Sequence, residues 1–135
     1  MSTFNIRCLV RSEETAGVVS VFGETVAPGG GPPIHAHRHQ GEIFHIIEGR
    51  FRFYLAGKEH EAGPGDTVHV PRRMPHAFQN IGESPARLHF ELFPANTSEA
   101  FFRQLVEAFD QIEDPGAFFS EHGMNLLGPP LGKTS

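Results

Sequence analysis

Three histidines and one glutamate have the types and spacing that a metal site requires. His35 and His37 are two residues apart, so on a strand both imidazoles face the same side of the sheet. Glu42 opens the next predicted strand after a short turn, and its carboxylate lies beside the two imidazoles if these strands pair. His76, at the start of a later strand, can supply a fourth ligand. We therefore predict one divalent transition metal ion per chain, because this mixed ligand set suits Fe, Mn, Co, Ni, Cu or Zn.

The segments that carry these four residues have the pattern of short strands separated by tight turns. The chain has 135 residues, of which 15 are Gly and 11 are Pro, and this excess of turn residues favours strands over a helix bundle. Many short strands at this spacing predict an antiparallel sandwich or a barrel. The predicted strands are Phe4–Val10, Gly17–Val26, Ile34–Arg38, Glu42–Ile47, Phe51–Ala56, Thr67–Val70, His76–Asn80 and Arg87–Phe93.

After Pro94 the hydrophobic period becomes helical. One stripe of the predicted helix is apolar, and Pro115-Gly116 is expected to end it. A second short helix is predicted over Ala117–His122, followed by an extended tail from residue 128 to 135. We thus expect a β-domain over residues 1–95 and a helical extension over 96–135 that packs on this domain or on a second subunit. The apolar stripe consists of Phe101, Phe102, Leu105, Val106, Phe109 and Ile112.

Two motifs of the chain resemble those of the cupin superfamily. The first, Gly29-x5-His35-x-His37-x4-Glu42-x6-Gly49, is matched at every fixed position. In the second, Gly65, Pro71, His76 and Asn80 have the expected spacing, whereas Arg73 stands where the family usually has Gly. The resemblance covers about residues 15–95.

The resemblance implies an all-β fold, a double-stranded β-helix or jelly-roll barrel, here with a C-terminal helical extension. It also implies that His35, His37, Glu42 and His76 hold the metal inside one end of the barrel. Small cupin dioxygenases of the quercetinase-like type are the members that the chain resembles, and they act on flavonols, diketones and related enolisable compounds.

Strand phase predicts which side chains line the cavity beside the metal. These positions suit a small aromatic or partly apolar substrate, although the same phenylalanines would equally fill a small barrel. Arg73 is expected near the mouth, where it would hold an anionic group of the substrate. The predicted substrate-binding residues are Phe44, Ile46, Phe51, Phe53, Arg73 and Phe78.

The function that the resemblance implies for this ligand set is that of a metal-dependent dioxygenase acting on a small enolisable or aromatic substrate. Glu42 would serve as a ligand or as a general base that takes a proton from the substrate. Two alternatives stay open: a metal-dependent isomerase or lyase that does not use oxygen, and a binding protein without catalysis.

Composition and charge exclude several other classes. Hydrophobic residues make up 39% of the chain and the net charge is −5 without a basic run, so nucleic acid and anionic membranes are not expected partners. We expect no transmembrane helix and no signal peptide. Cys8 is the single cysteine, which indicates a reducing compartment and a cytoplasmic location. A homodimer is expected, with the Phe4–Val10 strand extending the sheet of a neighbour.

Overall fold

A computed structural model describes residues 4–132, and these form two five-stranded antiparallel sheets that face each other. The strands are β1 (Asn5–Val10), β2 (Ser20–Val26), β3 (Pro33–His37), β4 (Gly41–Glu48), β5 (Phe51–Leu55), β6 (Lys58–Ala62), β7 (Thr67–Val70), β8 (His76–Asn80), β9 (Ala86–Phe93) and β10 (Met124–Pro130). Sheet 1 has the order β1-β2-β9-β4-β7 and sheet 2 the order β10-β3-β8-β5-β6. This arrangement confirms the predicted all-β double-stranded β-helix.

The interior between the sheets is packed mainly with aromatic side chains. Alternate residues of each strand point inward, as in Phe22 and Val26 of β2, which are at most 4% exposed. Phe44 of β4 meets Phe53 of β5 across the interior with their ring centroids 5.2 Å apart. Edge contacts of this kind join the two sheets across the interior.

Two strands have no counterpart among the predicted ones. β6 has the sequence Lys-Glu-His-Glu-Ala and lies at the exposed edge of sheet 2. Because its side chains are mostly in solvent, it lacks the apolar alternation from which a strand is predicted. β10 pairs with β3 and ends in Pro129-Pro130, which an edge strand tolerates because one side needs no ladder hydrogen bond. The extended tail predicted over 128–135 therefore begins within β10, and its residues 133–135 lie outside the described part of the chain.

The C-terminal helical segment consists of α1 (Ser98–Ala108), one 3-10 turn (Phe109–Gln111) and α2 (Pro115–Glu121). The expectation that Pro115-Gly116 ends the first helix was wrong. The first helix ends at Ala108, and Pro115 begins the second helix. Proline fits the first turn of a helix because its missing N–H is not needed there. Asp114 caps this helix, and its carboxylate accepts a hydrogen bond from the Ala117 N–H at 3.0 Å.

The two helices pack against the end of the barrel within the same chain. Phe102 of α1 contacts Phe22 and Phe90, whose rings point into the barrel, at centroid distances of 4.7 and 5.3 Å. Phe101 packs on Phe118 and Phe119 of α2. A second apolar cluster therefore continues the barrel interior and covers one of its ends. Within residues 4–132, no helix is long and apolar enough to cross a membrane.

Candidate metal centre and its cavity

His35, His37, Glu42 and His76 converge inside the covered end of the barrel. One potential ligand atom from each residue lies within 4.8 Å of the others, and all four side chains are buried. His35 and His37 share the inward face of β3, while His76 of β8 lies directly opposite His35 in the register of sheet 2. The buried cluster is thus a set of four ligands that could hold a metal ion.

Glu42 reaches this cluster from the opposite sheet, which differs from the expected pairing of its strand with β3. β3 belongs to sheet 2 and β4 to sheet 1, so the segment between them crosses from one sheet to the other. Gln40 anchors the crossing, because its buried amide donates hydrogen bonds to the carbonyls of Pro94 and Ala95 and to Ser98 Oγ. The glutamate therefore closes the cluster across the interior and not along one sheet.

Backbone carbonyls orient two of the three imidazoles. Nδ1 of His35 lies 2.8 Å from the Pro33 carbonyl, and Nδ1 of His76 lies 2.9 Å from the Met74 carbonyl. Each Nδ1 carries the proton in these contacts, because a carbonyl oxygen can only accept. The Nε2 atom of a neutral ring then has a free lone pair directed at the cluster, which is the arrangement of a metal-ligating histidine.

The contacts of Glu42 fit a cation at the centre of the cluster. Its Oε1 atom lies 3.0 Å from His76 Nε2 and 3.2 Å from His37 Nε2. A carboxylate and a lone-pair nitrogen repel each other at such distances unless a proton or a metal ion lies between them. Both ring nitrogens of His37 are buried without a hydrogen bond from any residue of the described chain. One nitrogen of a neutral imidazole has a free lone pair, so the unsatisfied His37 ring agrees with a ligand set that a metal completes.

Burial and neighbouring groups shift the pKa values of Glu42 and His35 toward the forms that can bind a metal. Burial by itself raises the pKa of Glu42, but His37 and His76 outweigh it and hold the pKa below its ordinary range. Burial lowers the pKa of His35, and the nearby His76 and His37 lower it further. An ionised carboxylate beside a neutral imidazole is therefore the favoured state, and both are ligands in that state.

A cavity of about 400 Å³ opens directly onto the cluster. This volume is sufficient for a small aromatic molecule. Aromatic residues from the barrel and from the C-terminal helices form its walls, and the Phe119 ring of α2 lies 5.9 Å from the His35 ring. The helical segment is thus part of the site as well as part of the packing. The aromatic wall residues include Phe44, Phe78, Phe90, Phe101, Phe102 and Phe119.

The structure separates the predicted substrate-binding residues into two groups. Phe44 and Phe78 line the cavity, as the strand phase predicted. Phe51 and Phe53 are fully buried and Ile46 is 2% exposed, and these three residues belong to the packed core beyond the cavity. Their side chains follow the correct inward phase, but packing places them within the aromatic core and not in the cavity wall.

Arg73 likewise does not line the cavity. It is exposed in the turn before β8 and has a φ of 70°, in the left-handed region that favours glycine. Its backbone N–H donates to the His37 carbonyl at 2.7 Å. The backbone of Arg73 thus joins this turn to the end of β3, and the contact of its guanidinium with an anionic substrate stays a prediction.

Sequence reasoning missed Glu24, Phe119 and the other cavity residues of the C-terminal segment. Glu24 lies between Phe22 and Val26 on the inward face of β2, and this alternation was a readable signal. Phe119 had no such signal, because only the packing of α2 brings it to the cluster. His45, His69 and His89 lie on the outer face of sheet 1, where His45 Nε2 contacts Glu91 at 2.9 Å.

Comparison with known proteins agrees with this architecture. An uncharacterized protein of Methanocaldococcus jannaschii is 32% identical over 95 residues, which span 70% of this chain and 76% of that protein. Quercetin 2,3-dioxygenase of Bacillus subtilis is 29% identical over 76 residues, or 56% of this chain and 22% of that enzyme. The chain spans about a third of the length of several other curated relatives that it matches.

The fold is also that of a solved structure, and a family profile covers the site. KdgF from a Halomonas species superposes with a TM-score of 0.65 at 15% identity, covering 72% of this chain and 84% of that one. The profile described as "Cupin domain" matches residues 23–93, which include the four clustered residues and more than half of the chain. The predicted resemblance is confirmed, and the chain belongs to the cupin family.

Proposed function

We propose that this protein is a metal-dependent enzyme, most closely a dioxygenase, that acts on a small enolisable or aromatic substrate. The observation that carries the proposal is the opening of the four-residue cluster onto an aromatic cavity of about 400 Å³. A buried ligand set at one end of an apolar pocket can hold the reacting oxygen of a substrate while the walls hold its rings.

In this proposal His35, His37, Glu42 and His76 hold one divalent transition metal ion. When bound, the metal supplies a Lewis acid that lowers the pKa of a substrate hydroxyl and a centre at which oxygen can react. The lowered pKa of Glu42 favours its role as a ligand over that of a general base, since a weakly basic carboxylate is poor at removing a proton near neutral pH. Phe44, Phe78 and Phe119 orient a flat substrate and exclude water.

The similarity to quercetin 2,3-dioxygenase supports this class of substrate, because quercetin is a hydroxylated aromatic compound with an enolic group. The exposed and free Cys8 supports a reducing compartment, the cytoplasm, as the place of action. A small molecule, and not nucleic acid or membrane, is the proposed partner.

Metal analysis and oxygen uptake test the proposal together. We expect about one metal ion per chain in the native protein, and loss of the metal in His35→Ala and His76→Ala. His60→Ala is the matched control, because His60 is exposed on β6 far from the cluster. Oxygen consumption with flavonols and diketones should follow the metal content.

The possible results separate the dioxygenase from its two alternatives. Turnover that persists without oxygen would assign the protein to metal-dependent isomerases or lyases. A ligand that binds and is released unchanged in every metal form would assign it to binding proteins. Equal activity in His76→Ala and His60→Ala would contradict a role for the cluster in any of these reactions.

A further inference from the structure

The cavity contains a carboxyl group that the metal cluster does not use. Glu24 lies on the inward face of β2, with Leu88 of β9 on one side and Ile6 of β1 on the other in the register of sheet 1. It lines the same cavity as His35, His37 and Glu42. The remaining residues of the cavity lining are apolar, so the cavity offers polar groups at the cluster and at Glu24.

The Glu24 carboxyl has no partner among the residues that the structure describes. No hydrogen bond or ion pair joins it to another residue in the described range 4–132. Glu24 is half-buried and its exposed part lies at the cavity, where an ionisable group without a hydrogen-bond partner among apolar walls is unfavourable unless a ligand or water satisfies it. An alanine or leucine at position 24 would pack on the inward face of β2 without the cost of an unpartnered carboxyl. The presence of a carboxyl there therefore points to a function in the cavity.

We propose that Glu24 is a substrate-binding residue that forms a hydrogen bond with a hydroxyl group of an aromatic substrate at a point separate from the metal cluster. The inference rests on the proposed function in taking this cavity as the substrate site. It narrows the substrate class to aromatic compounds with two polar groups, one at the cluster and one at Glu24. The carboxyl is suited to this role because its pKa is raised to about 8, first by burial and then by the charge of Glu42. A neutral carboxyl can both donate and accept a hydrogen bond.

The binding of naphthalene and naphthol to the metal-containing protein tests the inference, and fluorescence titration measures both affinities. The two probes differ by one hydroxyl group and neither chelates a metal. We expect native protein to bind naphthol about tenfold more tightly than naphthalene, the amount that one hydrogen bond contributes. Glu24→Leu should abolish this difference while naphthalene binds at least as well. Glu24→Gln should preserve it, because an amide also donates and accepts.

Two controls separate Glu24 from the rest of the protein. Thr25→Leu changes the neighbouring residue on the outer face of β2 and should leave both affinities unchanged. His76→Ala should lose the metal but keep the preference for naphthol. The metal content therefore tests the proposed function, and the preference for naphthol tests the inference about Glu24. The inference would be overturned if Glu24→Leu still preferred naphthol. It would also be overturned if native protein bound neither probe.

Discussion

At the scale of single residues, the chemistry of the site depends on the competition between burial and specific partners. Glu42 and Glu24 are two carboxyls in one cavity, yet their pKa values move in opposite directions. Glu42 has two imidazoles within 3.2 Å of its oxygen, whereas the pKa of Glu24 responds to burial and to the charge of Glu42. Environment, and not residue type, therefore favours the ionised form of Glu42 and the neutral form of Glu24.

The raised pKa of Glu24 predicts a pH-dependent cost in stability. Between about pH 4.5 and pH 8 the unfolded chain releases the Glu24 proton while the folded protein keeps it, so the free energy of unfolding falls as the pH rises. Each unit of pH costs at most about 1.4 kcal/mol. Glu24→Gln should therefore become progressively more stable than native protein over this range, as measured by urea unfolding.

The comparison of the two proteins at each pH isolates Glu24, because the other groups of the cavity, His35, His37 and Glu42, are common to both. Below the ordinary pKa of glutamate the stability difference should be constant, and above about pH 8 it should be constant again. A difference that does not change with pH would show that Glu24 is ionised in the folded protein.

Arg73 gives a second prediction at the scale of a residue. Its positive φ costs about 1–2 kcal/mol for a residue with a side chain, and glycine removes this strain at a smaller entropic cost. Arg73→Gly should therefore stabilise the protein by about 1 kcal/mol in thermal or urea unfolding. Arg72→Gly, at the exposed neighbouring position, should have no such benefit. Equal effects of both changes would contradict the strain at position 73.

At the scale of elements, the covering of the site depends on the packing of α1 and α2 against the end of the barrel. Phe101 joins the two helices, since it stacks on Phe118 with a centroid distance of 4.8 Å and meets Phe119 at 5.2 Å. The loop from β3 to β4 is tied to the same segment, because Arg38 donates hydrogen bonds to the carbonyls of Met124 and Ser120. The helices and the ligand strands thus support one another.

Phe101→Ala should destabilise the protein by about 3 kcal/mol, because the ring is 2% exposed and its removal leaves a cavity. The same change should weaken the binding of naphthalene, since Phe101 forms part of the cavity wall. Arg103→Ala, on the exposed face of the same helix, serves as the control for helix propensity. If both variants unfold at the same urea concentration, α1 does not depend on this contact.

At the scale of the whole molecule, metal binding is expected to be coupled to stability. The cluster brings together a carboxylate and lone-pair nitrogens that repel one another without a cation. At a free metal concentration one hundred times the dissociation constant, metal binding should raise the free energy of unfolding by about 2.7 kcal/mol. Calorimetry with and without a chelator measures this, and an unchanged melting temperature in the two states would contradict a metal in the cluster.

The oligomeric state is a further prediction at this scale. β1 is an outer strand of sheet 1, where it pairs with β2 of its own chain and leaves its other edge open. An open edge can pair with the same strand of a second copy. Light scattering should give twice the 14.9 kDa mass of one chain. A sharp monomer mass at micromolar concentration would contradict the expected homodimer.

The features that depend on local spacing follow directly from the sequence. Alternation placed His35 and His37 on one face, turn residues marked most strands, and the helical period located α1. These features could be predicted because strand and helix geometry relate neighbouring residues directly. β6 was not predicted because an exposed edge strand needs no apolar alternation, and β10 was not predicted because its end, Gly128-Pro129-Pro130, has the composition of a loop.

Which side chains meet across the interior depends on the tertiary structure and could not be predicted from local spacing. The crossing of the chain between the sheets places Glu42 opposite the histidines, and the packing of α2 brings Phe119 to His35. Tertiary packing also determines that Phe78 lines the cavity whereas Phe51, on an equally apolar strand, lies in the core. The physical reason is that strand phase fixes the face of a residue, while its distance from the cluster depends on how ten strands and two helices pack together.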